Sequence, residues 1–513
     1  MVAFHGQGLP GNPLHRHGVP TRVPPIDDFF YPLMSLFPRL FGLFASLAIP
    51  LATSSSAREV TPRIPTYLGN FQRNYYGNQA PEKLRTVWRT PLGSGKTFFK
   101  NRIHLMTGSG WTGQPLLFHE DGQLVILQTS LDHQLRKIDA ATGTVIWTSK
   151  LGDSIKGTPT YFDRGHGDEA TRRILITGSR HGFGIDLRRD PAWSLRGISF
   201  DDGREFWRHD TVLTDSNSRD CDASAIVIGK RAAIPLENGD FLLFSPDPSR
   251  SRPHGIWKIP RIDHKSRLYH KNDLPLYGSE LSCESSPTLI DSIAYVPAGC
   301  GRLYAKSTKT RFTHWTLDIG GDLESTMPLT RDRCLLIGIE KQFIPGPGGV
   351  MKIDPSRKGR DAIRWFLPWP DSKFYDWEGG IVGSVTCNDA YGKDSPGQGR
   401  LGCAVSVDGR LRVFDHTRLS EKHHPGPRLD LDLPQPLVLD EVQLPDGTIS
   451  TPIFVKDRIL IGYDSGADLY HVNSEGKLSL VDRIRGKMFD STPIVWDRRA
   501  YFPSRDGFLY CLE

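Results

Sequence analysis

The chain reads as an all-β protein, a single eight-bladed β-propeller closed by an N-terminal strand. Three observations predict this. One short phrase returns eight times in 513 residues: a small, polar or Pro-containing step opens an apolar strand, a tight turn follows, and a second strand ends near a Gly. Its starts lie roughly 40–70 residues apart, the spacing of units that cannot bury both faces alone. Eight outer-strand candidates accompany the phrase, and 51 Gly and 38 Pro with few helical stripes suit short strands and tight turns.

Taken in order, residues 1–57 form a predicted disordered extension plus signal peptide. Leu40 to Ala52 is an apolar run behind Arg39, followed by the small residues Thr53 to Ala57. The run is too short for a comfortable membrane span and matches the apolar core of an export signal. Starting at Met34 gives an ordinary signal; an uncleaved anchor is the other reading. The expectation is a secreted or periplasmic monomer with no integral membrane span. Residues 58–82 read as a lead-in segment, and 83–513 as the propeller.

The clearest repeat openings are Lys156-Gly157-Thr158-Pro159, Glu284-Ser285-Ser286-Pro287 and Asp490-Ser491-Thr492-Pro493, with weaker copies at Thr112, Asp222, Glu324, Glu378 and Ile449. Second-strand turns such as Asn238-Gly239 and Asp506-Gly507 supply the positive φ that hairpins need. Outer strands are predicted at Trp88, Trp147, Trp207, Trp257, Trp315, Trp365, Leu437 to Val442 and Leu478 to Ile484. The last repeat shows only two strands before Glu513. The strand around Trp88 has no blade of its own, so it is expected to complete the last blade and remove an exposed edge.

Net charge is +6, spread along the chain, which gives no argument for nucleic-acid binding. There are seven Cys, none in a CxxC motif. Cys283–Cys300 and Cys387–Cys403 flank turns and are candidate cross-strand disulfides in an exported protein, with buried free thiols as the alternative.

Asp139-Ala140-Ala141-Thr142-Gly143-Thr144-Val145-Ile146-Trp147 resembles the D-x-x-T-G-x-x-x-W signature of pyrroloquinoline quinone (PQQ)-like, quinoprotein alcohol dehydrogenase-like propeller repeats. Asp202 to Trp207 is a degenerate copy, and Leu68 to Asn74 resembles the opening of exported members. The resemblance covers roughly residues 66–513. It implies that the Trp docks between adjacent blades. It also implies two kinds of function: a non-catalytic scaffold, or a dehydrogenase holding PQQ and Ca²⁺ on the axis and oxidising alcohols or sugars. No two Cys are adjacent, so the vicinal disulfide usual in those enzymes is missing, as is any haem-attachment motif.

Aligned without gaps, the slot three residues before the Pro position reads Thr112, Lys156, Asp222, Glu284, Glu324, Glu378, Ile449 and Asp490. It falls where the innermost strand begins, at one mouth of the central channel. Asp222, Glu284, Glu324, Glu378 and Asp490 are therefore candidate metal ligands, suited to Ca²⁺, or holders of a cationic ligand. The competing expectation makes each acid an inter-blade staple accepting hydrogen bonds from the next blade. Trp111, Lys156, Arg219 and Trp377, with Tyr375, could furnish a ligand floor, although packing the mouth would also explain them. In a dehydrogenase, Glu284, Glu324 or Asp490 would be the general base. Otherwise no catalytic residue is identified: no G-x-S-x-G motif occurs, and Gly93 to Thr97 lacks the P-loop's first Gly and its helix. Asp215 to Asp220 only faintly resembles a Ca²⁺ loop, with Arg219 at a ligand position. The favoured expectation is a binding or scaffold module for a protein or small-molecule ligand at the propeller face.

Overall fold

Short apolar runs and Gly-containing turns close into eight antiparallel blades in the computed structural model, which describes residues 58–99 and 102–513. The signal-peptide reading and Met34 fall outside the described residues. Blades 1 to 7 span 116–150, 160–209, 226–267, 288–318, 335–368, 386–443 and 453–485. Blade 8 joins 494–512 to the strand Thr86–Pro91, which pairs antiparallel with Phe508–Leu512, Arg89 opposite Tyr510. The expected closure is present. The two described α-helices have four residues each, and no described helix is long and apolar enough to cross a membrane.

Packing between blades shows why the Asp-Thr-Gly-Trp pattern exists. Asp139 Oδ1 accepts bonds from the backbone N–H of Ala141 and Thr142, which fixes the turn. Gly143 then sits at φ +76° under the Trp88 ring of blade 8, and a methyl group there would lie 2.7 Å from Cε3. Trp88, Trp207 and Trp365 each donate an indole N–H to a carbonyl of the next blade: Ala140, Pro246 and His416. Apolar clusters fill the same junctions, as where Trp207 meets Ile234 and Phe244.

Two strand expectations need correction. The outer strand of blade 3 is Arg261–Arg267; Trp257 belongs to an added hairpin, Arg252–His254 with Trp257–Ile259. Blade 5 has three strands, and residues near 329 form no strand beside it, pairing there through the isolated bridge Leu329 to Leu335. Gly93 to Thr97 enters the hairpin Ser94–Phe99 and Arg102–Thr107, which is no nucleotide loop.

All seven Cys are buried free thiols. Cys403 pairs with Thr386 and not with Cys387. One residue out of register puts the two side chains on opposite sheet faces. Cys403 accordingly packs toward blade 7 and Cys387 toward blade 5. Cys283 and Cys300 share one apolar cluster as thiols.

The lead-in is woven into the ring. Val60–Ile64 adds an inner fifth strand to blade 1. Beyond it the chain fills the axis. Tyr67 Oη bonds to Ser384, Thr451 and Thr492 of blades 6, 7 and 8. Buried Arg73 donates to Pro287 O, Ser224 O and Ala225 O of blades 4 and 3, as well as to Thr66 and Tyr67. Burial lowers its guanidinium pKa to about 9, and this dense set of acceptors is what compensates its desolvation.

Candidate axial ligand site

The site grows from two features of each repeat. The slot residue stands four positions ahead of the inner strand, as Asp222 does before Ile226–Ile228 and Glu284 before Thr288–Ile290. The second strand runs antiparallel to the first, so its far end returns to the same mouth. This brings Glu237, just past Arg231–Pro235, beside Asp222, and Glu340, just past Leu335–Ile339, beside Glu324.

Two buried carboxylate triads result, Asp222/Glu237/Glu284 and Asp322/Glu324/Glu340, each with oxygens within 4.8 Å of one another. Lys156, the slot residue of blade 2, fills the first. Its Nζ contacts Asp222 closely and lies 3.9 Å from Glu237 and 4.0 Å from Glu284. The ammonium also faces the Trp111 ring at 6.0 Å. Burial opposes its charge, yet Asp222, Glu237 and Glu284 hold its pKa well above the usual lysine value. Burial raises Asp222 to about 6, with Lys156 pulling the other way, and pushes Glu237 well up, helped by Asp222.

The second triad has no such counter-charge among the described residues. Glu324 is 4 % exposed, and its Oε2 has no hydrogen-bond partner. Burial, reinforced by neighbouring Glu284, raises Asp322 to about 7. Glu324 and Glu340 are pushed well up for the same reasons.

The remaining expected residues join neither triad. Asp490 is buried against Arg505, 3.2 Å away, on blade 8. Glu378 is exposed on the hairpin Asp371–Phe374 and Trp377–Gly379, so it leaves the slot. Blade 6 begins its inner strand at Thr386, which makes Val382 its slot residue. Arg219 is spent on the carbonyls of Thr211, Leu187 and Asp190 and on Asp210, pinning a loop. The Asp215 to Asp220 segment gathers no ligand set: Tyr269 takes Asp215, and His181 takes Asp220. Trp111 and Trp377 pack together with Val382, Val407 and Ile449 into an apolar cap. Tyr375 donates to Asp464.

Stapling between blades is done by small residues two positions after the slot. Backbone N–H groups of Gln114, Ser224, Ser286, Thr326 and Ser384 donate to Thr158, Ser286, Thr326, Ser384 and Thr451 hydroxyls. Ser224 Oγ to Thr158 O, Ser450 Oγ to Ser491 O and Thr492 Oγ1 to Trp111 O stitch the other three junctions. The acids are therefore not the staples. Sequence reasoning missed Glu237, Asp322 and Glu340. The signal available was an acid at a second-strand end, or two residues before an acidic slot.

Residues 81–252, which include the closing strand and blades 1 and 2, match the family model described as Outer membrane protein assembly factor BamB. The repeats in that stretch are PQQ-like. No curated protein matches the chain. Among solved structures, BamB from Moraxella catarrhalis aligns at 14 % identity over 84 % of this chain and 97 % of that one, with a TM-score of 0.49.

Proposed function

We propose that this PQQ-like propeller is an exported binding scaffold whose acidic axial mouth receives a cationic group. The observation that carries this reading is the second triad: three carboxylates buried together with no described counter-charge. Desolvating such a cluster is costly unless it is neutralised. The lead-in fills the axis, so the mouth is a recess rather than a through-pore. Proteins placed in outer-membrane assembly by the description of the matching family lend the scaffold role its support.

The donor set does not fit PQQ. That quinone is a planar polycarboxylate, and the recess already carries two carboxylate triads. Among the described residues the ammonium there, Lys156, is taken by Asp222, and Arg219 is held by carbonyls. Trp111 and Trp377 are buried in a shared cap, which leaves neither as an open stacking face. Dehydrogenase chemistry is therefore set aside, and no residue is assigned as its base.

The test has two arms. Protein mixed with PQQ and Ca²⁺, then desalted, should retain no quinone absorbance and reduce no dye with an alcohol panel. A cation panel at constant ionic strength should raise the melting temperature through binding to the folded state. Retained quinone with alcohol-dependent dye reduction would overturn the scaffold reading; a melting curve blind to every cation would remove the cation from it.

A further inference from the structure

The geometry points to a primary ammonium group, carried on an alkyl stem, as the ligand of the Asp322/Glu324/Glu340 triad; this rests on the cationic-mouth reading above. The two triads share a plan: slot acid and second-strand-end acid of one blade, Asp222 with Glu237 and Glu324 with Glu340, plus a third acid beside them. The first already shows what fills such a nest. Its occupant is the Lys156 ammonium, delivered from the slot of the preceding blade, with three carboxylates within 4.0 Å. In the preceding blade of the second triad, that slot holds Glu284. The repeat therefore supplies the nest without its lysine.

The atoms match in number and in donor–acceptor sense. An alkylammonium has three N–H donors and no acceptor, and three carboxyl groups converge here. Glu324 Oε2, buried and without a hydrogen-bond partner, is an acceptor still to be used. A Ca²⁺ ion takes six to eight oxygen ligands, whereas one oxygen from each of three carboxyl groups converges here. A flexible four-carbon stem can reach a recessed site that a rigid basic group would not.

Two sources present this chemistry, a free amine and the lysine of a peptide segment. The experiment measures melting temperature with n-butylammonium, acetyl-Gly-Lys-Gly-amide, tetramethylammonium and Ca²⁺ at one ionic strength. Butylammonium or the lysine peptide should give a saturable rise. Tetramethylammonium, equal in charge but without N–H donors, should give none. A response to the peptide alone assigns a lysine of a protein partner; a response to butylammonium alone assigns a small amine. Glu324→Gln should weaken binding by tenfold or more, while Asp490→Asn, whose acid is already paired with Arg505, should keep it. If Glu324→Gln does not fold, Glu340→Gln makes the same comparison. A rise with Ca²⁺ and none with amines would leave a cationic mouth but overturn the ammonium. An equal response to tetramethylammonium would overturn it too. No response to any of the four would overturn both readings.

Discussion

Gly143 shows how much one position can carry. It combines a left-handed backbone with contact against a neighbouring blade's indole, whereas Gly122, at φ +81°, has nothing within 4 Å of an added methyl group. The pair separates two costs. Gly122→Ala should lose about 1 kcal/mol, the conformational penalty alone. Gly143→Ala should lose about 2–4 kcal/mol, because Trp88 must also move. Urea unfolding of both variants tests this, and equal losses would show that the inter-blade contact is soft. At the same scale the sequence was legible where chemistry is local. The Asp-Thr-Gly-Trp turn announces itself because the bonds that fix it, from the N–H groups of Ala141 and Thr142 to Asp139, are local. Glu237 and Glu340 were illegible because their partners come from other strands, so only the folded mouth makes them a site.

At the level of the element, strand identity was readable and register was not. The closing strand Thr86–Pro91 was evident as an outer-type strand without a blade. The gapless repeat alignment slipped by four residues in blade 6, where the inserted hairpin Asp371–Phe374 and Trp377–Gly379 pushes the inner strand back. That slip put Glu378 in a slot that Val382 occupies. Trp257 failed for a related reason, since an added hairpin carries a Trp before the true outer strand. Removing residues 82–92 should leave Phe508–Leu512 as a bare edge. The shortened protein is expected to aggregate, followed by light scattering. A soluble variant with one cooperative melt would refute closure by this strand.

Over the whole molecule, the buried acids dominate the response to pH. Asp222 and Asp322 have folded pKa values of about 6 and 7 against an ordinary 3.8. Below pH 4 they are protonated folded or unfolded, and they cost nothing. As pH rises, the unfolded chain ionises them first, so stability falls until pH passes their folded values. His209 works in the opposite direction. Burial lowers its imidazole to about 4, so its contribution is present above pH 6.5 and is lost as pH falls toward 4. Each tenfold change in proton preference is worth about 1.4 kcal/mol, and several acids outweigh one imidazole. Urea unfolding should therefore give about 1–3 kcal/mol more stability at pH 5.5 than at pH 7.5, and Asp322→Asn should narrow the gap. A stability that climbs with pH across this window would contradict the buried triads. The closure has a further consequence in time. Arg89 leaves the ribosome well ahead of its strand partner Tyr510, which lies in the opposite half of the ring's sequence. Tyr67 likewise waits for Thr451 and Thr492. The closing strand and the axial tyrosine thus wait without their partners until the last blades emerge, so the ring commits to its final form only as a whole, and its open intermediates expose an unpaired edge.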